Sequence, residues 1–427
     1  MKYMREGDFE RAFLALQEAH NLDPNNNVVK NNLSAAAHNL AVNKAQEGMI
    51  PDAIKYEKIA AEKNPTNPMF SEQLAVLYNN YAMSLAKNDR YDLALPNFKE
   101  GLKIAPDSPE LKQNLYYTTM NEAAKCLRAN RKQESINFAK DCIAFDPNNA
   151  EAYMFLGDFY YAANDLNEAI QYWDKALTLQ PQSVELKQMM EKAKRELQAE
   201  KGFKNRARPN FDVRFEGRQD TGVIWDIVDL LEDARRYVKG EFMFYTDQKI
   251  TAIVYDSDRF KTATNERDWT FGLYDGKVRL RLADAVSDNK EMLKEILYHE
   301  YGHAILNILY PRNIPNWLHE GFAQYVQPQN DLTAPDRSLV ANFFKTKGTF
   351  TLEKVNALFK AKTHVEITQA YVLAKLFLDY FIDRYGKYKF KKLLERLNSG
   401  MPFEKAVYEI TRLHVDQIEN EFVASLK

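Results

Sequence analysis

Cysteine is nearly missing from this chain: two residues in 427. That excludes a disulfide-dense scaffold and a cysteine-rich zinc module. Net charge is nearly missing too, with 58 basic against 60 acidic residues. The balance offers no bulk attraction for nucleic acid or for an anionic lipid surface. No run of 18 apolar residues occurs, so no membrane-spanning helix is expected. Glycine and proline number 15 each, too few for a collagenous or linker-rich chain. The first residues, MKYMREGDF, lack the apolar core of a signal peptide. Histidine is scarce as well, seven in all, yet three of them (His299, His303 and His319) crowd into one short stretch. What is present, 45% hydrophobic and 28% charged residues, is ordinary for globular protein. At roughly 100–200 residues per domain the length suggests two to four domains.

The prolines expose an internal repeat. Pro24, Pro65, Pro106 and Pro147 are evenly spaced, Pro181 follows after a shorter gap, and each ends a helical pattern. Twelve residues before each sits a small residue, Ala12, Ala53, Ala94, Ser135 or Ala169. Twenty-four residues before the last four sits Ala41, Ala82, Ala123 or Gly157. Small residues at fixed offsets let two antiparallel helices approach closely, with polar turns such as Lys87-Asn88-Asp89 and Asn164-Asp165 between them. The seven extra residues of the longer units equal two helical turns, which lengthens a helix without rotating its apolar face. The unit at residues 152–181 resembles the tetratricopeptide repeat, with Leu156, Gly157, Tyr160, Ala169, Trp173, Ala176 and Pro181 in the expected places. The resemblance extends over about residues 1–181, and a further helix from Ser183 to about Glu200 is expected to cap the array. The first unit has almost no first helix, which raises the expectation that residues upstream were removed, among them a leader or anchor. On that expectation an exported or periplasmic location is favoured over a cytoplasmic one.

Two further features belong to the array. Asn39, Asn80 and Asn121 recur with the period of the prolines. Their place resembles the groove-lining position of tetratricopeptide arrays, where an asparagine ladder would hydrogen-bond an extended peptide or protein partner. The bland alternative is a solvated helix face. Cys126 and Cys142 are read as small buried packing residues in preference to a disulfide pair.

The stretch around 201–210 is polar and basic, breaks the helical period and reads as a linker. Beyond it the pattern is mixed: a strand at 213–217, a helix at 222–239, a strand at 250–255 and a hairpin at 269–285 around Asp275-Gly276. Helices follow at about 290–309, 317–327, 335–345 and 366–384. A small sheet followed by helices is an α+β domain. The expected fold class is therefore multidomain: an all-α tetratricopeptide-repeat solenoid over 1–200, the linker at 201–210, and an α+β domain over 211–427.

Residues 299–303 read His-Glu-Tyr-Gly-His inside a strong helical pattern, with Asp288 and Glu291 placed to cap its start. Histidines four apart stand one turn apart on one helix face, which suits two imidazole ligands on one ion. Glu300 flanks that face and can act as a base toward an activated water. This five-residue pattern arises by chance in about one chain in a hundred of this length. A zinc site with two histidines needs another protein ligand, and Glu320 on the following helix can supply it. Gln324 lies one turn further along that face, and Gly302 and Gly321 allow close helix packing. His319 points about 100° away from Glu320 and is expected to meet substrate or support the ligands. Glu295 and Asn307 share the His299/His303 face and could orient them. His20, His38, His364 and His414 have no metal-ligand spacing.

Together HEYGH and WLHEGFAQY resemble the gluzincin pattern of peptidase MA-like domains, related to aminopeptidase N and thermolysin, over about residues 210–390. The resemblance implies one Zn2+ held by His299, His303 and Glu320, with Glu300 as catalytic base. It implies a strand, matched to YDGKVRLRL, that borders the cleft and pairs with substrate. It implies a tyrosine that donates to the oxyanion, best matched by Tyr371 and second by Tyr380. The aminopeptidase segment of the GxMEN type is absent, so an endopeptidase is expected over removal of single N-terminal residues. The competing readings are an adaptor whose metallo-domain is structural and a zinc hydrolase of non-peptide bonds. An intact Glu300 and a set of only three protein ligands favour the enzyme, because a structural zinc site is closed by four and needs no base.

Overall fold

The computed structural model describes residues 2–217, 221–265, 271–282, 289–328, 333–361 and 363–426. It falls into two compact units, one of Met1–Gly157 with Tyr172–Ser183 and one of Asp158–Gln171 with Val184–Lys427. No helix among the described residues is long and apolar enough to cross a membrane.

The first part of the chain is a run of helical hairpins. The helices are α1 (Lys2–Arg5), α2 (Phe9–Leu22), α3 (Asn27–Gln46), α4 (Ile50–Lys63), α5 (Pro68–Lys87), α6 (Tyr91–Ile104), α7 (Pro109–Arg128) and α8 (Lys132–Phe145). α9 (Ala150–Ala162) and α10 (Leu166–Leu179) form the last hairpin. The repeat length is explained by the first helix of each pair: α3, α5 and α7 have 20 residues, whereas α9 has 13, and the second helices all have 14. Helix starts are set by caps: Asn26, Asn67 and Ser108 accept backbone N–H groups of the following turn, and Pro68 and Pro109 fill first-turn positions that need no donor. Turns within the hairpins place Gly48, Asp89, Asn130 and Asn164 at positive φ, 78°, 59°, 58° and 56°, which short or absent side chains tolerate. The small residues at the repeat offsets are buried, and Gly157 cannot be larger: a Cβ there would lie 2.2 Å from the Trp173 ring.

Asn39, Asn80 and Asn121 occupy one equivalent position of α3, α5 and α7, the first half-buried and the other two exposed. One turn before the last two, Val76 and Tyr117 are also exposed. Their neighbour Asn79 is different in kind: it is buried, donates to Glu110 and accepts from Asn114. Cys126 and Cys142 are free thiols, fully buried, as their packing role requires.

The second unit includes α11 (Val184–Ala199), the helix that follows the last hairpin. Its sheet has five strands in the order β1-β2-β3-β5-β4. β1 (Phe203–Ala207) lies within the stretch read as a linker and pairs antiparallel with β2 (Phe211–Glu216). β2, β3 (Ile250–Tyr255) and β5 (Val278–Arg281) are parallel neighbours, and β4 (Gly272–Tyr274) returns antiparallel on β5. The YDGKVRLRL segment divides between them: Tyr274 ends β4, the end strand of the sheet, and Val278–Arg281 form β5 one strand further in. β3 is buried at every residue, which explains why its sequence, ITAIVY, is apolar but for Thr251.

Helices cover both faces. Phe211, Val213, Ala252, Val254, Val278 and Leu280 point into the main core with α12 (Thr221–Phe242) and α14 (Lys290–Leu309). On the other face Ile253, Tyr255 and Leu273 meet Ala199 of α11 and Phe260 of α13 (Ser257–Thr264). After α14 come α15 (Asn316–Tyr325), α16 (Ala334–Lys347), α17 (Leu352–Leu358), α18 (His364–Asn398, broken at Gly386), α19 (Phe403–Thr411) and α20 (Val415–Ser425).

Candidate metal centre

Two glycines decide where the site's helices cross. A Cβ on Gly302 of α14 would stand 2.9 Å from the Ala323 Cα of α15, and one on Gly321 of α15 would stand 2.8 Å from the Ala374 carbonyl oxygen of α18. α15 is thus wedged between α14 and α18 at backbone contact. Asn289 caps α14 by accepting the Met292 N–H, while the expected cap Asp288 lies outside the described residues.

This crossing brings His299, His303 and Glu320 together, one possible ligand atom from each lying within 4.8 Å of the others. The two imidazole Nε2 atoms are 3.1 Å apart. Glu320 Oε2 is 3.2 Å from His303 Nε2 and 3.6 Å from His299 Nε2 yet makes no aligned hydrogen bond to either. Burial opposes ionisation of Glu320, but His303 and His299 outweigh it and hold its carboxyl well below the usual range. Three ligand atoms crowding one point, with an ionised oxygen that has no aligned donor, is an arrangement a divalent cation satisfies.

Glu300 is 5% exposed, and its Oε2 has no hydrogen-bond partner among the described residues. Burial pushes its carboxyl up to about 8, with His303 pulling the other way. The end strand presses against it: a Cβ on Gly272 of β4 would lie 2.5 Å from Glu300 Oε1. Tyr371 of α18 is half-buried beside the histidines, its ring centroid 6.1 Å from that of His299. Tyr380 is turned elsewhere and donates its hydroxyl to Glu421 at 2.9 Å. His319 packs on His303 with ring centroids 5.7 Å apart, and burial lowers its pKa to about 4, so it is neutral at neutral pH.

The groups facing His299 from behind differ from those expected. Asn307 is exposed and Glu295 half-buried, and among the described residues neither bonds to a histidine. Instead the amides of Gln327 and Gln324 stand 3.3 and 3.5 Å from His299 Nδ1. An imidazole that binds through Nε2 carries its proton on Nδ1 and needs an acceptor there, which an amide oxygen supplies after rotation of the amide plane. Gln327 lies just beyond the end of α15, which stops at Tyr325 and not at 327 as its pattern predicts.

A buried carboxyl thus stands beside a His-His-Glu cluster, on crossed helices packed against a small mixed sheet. Residues 246–427 match the Peptidase MA superfamily, and residues 75–108 and 150–183 match the tetratricopeptide repeat. The chain therefore carries tetratricopeptide repeats followed by a C-terminal domain of the Peptidase MA superfamily, a family that is generally zinc-dependent. Among curated proteins it is similar to a DnaJ homolog subfamily C member 7 homolog of Dictyostelium discoideum, with 29% identity over 25% of this chain and 20% of that protein. It is also similar to the human protein O-mannosyl-transferase TMTC1, with 27% identity over 45% of this chain and 20% of that protein. The chain thus spans about a fifth of the length of these relatives. Similar solved structures include MamA from Desulfovibrio magneticus RS-1, at 21% identity and TM-score 0.21 over 38% of this chain and 82% of that one. Another is TTC0263, a thermophilic TPR protein of Thermus thermophilus, at 16% identity and TM-score 0.19 over 45% of this chain and 93% of that one.

Proposed function

We propose that the chain is a zinc-dependent protease of gluzincin type, acting as an endopeptidase. The observation that carries this reading is Glu300: a buried carboxyl beside the His299, His303 and Glu320 cluster, its Oε2 without a hydrogen-bond partner among the described residues. A purely structural metal site gains nothing from that residue. The cluster fits one zinc ion with three protein ligands and leaves a coordination position open. Zinc bound there would act as a Lewis acid toward a peptide carbonyl and make water a better nucleophile at neutral pH. Glu300 then takes the proton of the attacking water and returns it to the leaving amine. Tyr371 donates its hydroxyl to the oxyanion, and His319, neutral and packed on His303, shapes the pocket wall. β4 offers its outer edge to an extended substrate. The test is cleavage of a diverse peptide library by the zinc-loaded protein, with Glu300→Gln as control. If the two behave identically, the adaptor reading replaces this one.

Tyr371 and Tyr380 are separated by substitution. Tyr371→Phe should lower kcat by about 10²-fold with little change in KM, because the lost donor acts in the transition state. Tyr380→Phe should leave kcat unchanged, its hydroxyl being committed to Glu421. Equal kcat values for Tyr371→Phe and the parent enzyme would remove Tyr371 from the mechanism.

The repeats are read as the recruiting element for a protein substrate or partner. The equivalent positions of Asn39, Asn80 and Asn121, beside exposed Val76 and Tyr117, support this. The triple variant Asn39→Ala/Asn80→Ala/Asn121→Ala should raise KM for a protein substrate on the order of 10²-fold, three lost hydrogen bonds at about 1 kcal/mol each. KM for a short peptide should not move. A triple variant that binds and cleaves the protein substrate like the parent defeats the ladder.

A further inference from the structure

A second cluster of charge lies on the opposite face of the sheet from Glu300, and it is buried more deeply than the metal centre. Lys277, Arg279 and Glu196 are each 0% exposed. Glu196 of α11 meets both cations at once, Oε2 at 3.0 Å from Lys277 Nζ and Oε1 at 2.8 Å from Arg279 Nη2. Lys277 also donates to Asn164 in the α9–α10 turn, at 2.5 Å. Arg279 reaches back along its own strand to Asp275 at 2.9 Å. Ion pairs this far from water contribute little net stability, because desolvation offsets their attraction, and apolar residues of the same volume would serve the core as well. What such pairs do supply is a single allowed register, since any shift leaves a charge buried and unpaired.

The residues held are those of one hairpin. Asp275 and Lys277 lie in the turn between β4 and β5, and Arg279 is in β5. β4 has only three residues and among the described residues its strand partner is β5, so its position follows the hairpin's. Its Gly272 is the residue whose backbone abuts Glu300. We propose that Glu196, Lys277 and Arg279 are positioning residues that fix β4 beside Glu300 and thereby set the binding of extended peptide along its edge. This rests on the protease reading above. Backbone hydrogen bonds to β4 form in the bound ground state and persist in the transition state, so loosening the strand costs binding more than turnover.

The experiment compares Lys277→Met, Glu196→Gln and Lys277→Arg with the parent zinc-loaded chain. Lys277→Met keeps the aliphatic stem and leaves Glu196 paired with Arg279, so it folds even where Glu196→Gln, which leaves Lys277 buried beside no carboxylate while Arg279 keeps Asp275, does not. In Lys277→Met, amide exchange over residues 272–281 should speed up about tenfold or more while α14 is unchanged. Its peptide KM should rise about fivefold to tenfold with kcat within about twofold, and zinc content should stay constant. Lys277→Arg should restore both values. Unaltered exchange and KM in folded Lys277→Met overturns the proposal, and so does equal acceleration of exchange throughout α14. Should the parent protein cleave no peptide at all, the protease reading fails and the exchange result alone decides whether this network positions β4.

Discussion

Glu300→Gln is expected to lower kcat/KM by about 10³–10⁴-fold, the upper part of the range for losing a general base, while zinc content stays that of the parent. Gln keeps the volume of Glu but cannot take a proton from water or pass one to a leaving amine. The usual objection, that a silent variant has simply unfolded, is answered by the sign of the burial effect. The Glu300 carboxyl is raised by burial to about 8 in the metal-free fold, above its ordinary value of 4.5. A raised acid contributes stability fully only below its unfolded pKa, and that contribution is lost as pH climbs from about 4.5 through about 8. At neutral pH the free carboxyl therefore costs the metal-free fold stability that a neutral amide does not. Metal-free Glu300→Gln should melt no lower than the parent at pH 7 and above. Peptide turnover by the zinc-loaded variant within tenfold of the parent would remove Glu300 as the base.

How much of this was legible in the residues alone depends on how local each cause is. The hairpin array was, because each helix boundary is set by a nearby cap, turn or proline. The even spacing of the prolines carried through to α3, α5 and α7, which start at the equivalent positions Asn27, Pro68 and Pro109. His299 and His303 were legible for the same reason: four residues of helix fix their relation. Glu320 was legible as a residue type in the right place, although its approach to the histidines depends on Gly302 and Gly321 letting three helices touch. The features that escaped are those whose cause lies far along the chain. β1 sits in a polar basic stretch and is a strand only because β2 offers it a register. β4 is three residues long, too short for an alternating pattern to appear. Glu196 and Lys277 are 81 residues apart and unremarkable in a helix and a turn, and only the fold makes them a buried pair. Gln327 continues the Glu320–Gln324 face just past the end of α15, and only the fold brings it to His299.

Zinc retention puts the sharpest question to Glu320. Glu320→Ala should reduce bound zinc after dialysis from about one ion per chain to less than about a tenth, with loss of peptide cleavage. Two imidazoles remain in the variant, but the carboxylate whose Oε2 lies 3.2 Å from His303 and 3.6 Å from His299 is gone. The helix that carries it should not move. α15 is held by Trp317, Leu318 and Phe322, none more than 2% exposed, and by the seat of Gly321 on Ala374, and the alanine touches none of these contacts. The metal-free variant and metal-free parent should therefore share one far-UV circular dichroism spectrum, so that a difference in zinc content reports the site and not the fold. Glu320→Gln sharpens the comparison, because the amide keeps the shape and loses the charge. If charge is what holds the ion, Gln behaves like Ala, and if an oxygen donor suffices, Gln retains most of the zinc. Full zinc occupancy in Glu320→Ala would mean that the third protein ligand is another residue, and the His-His-Glu assignment would fall with it.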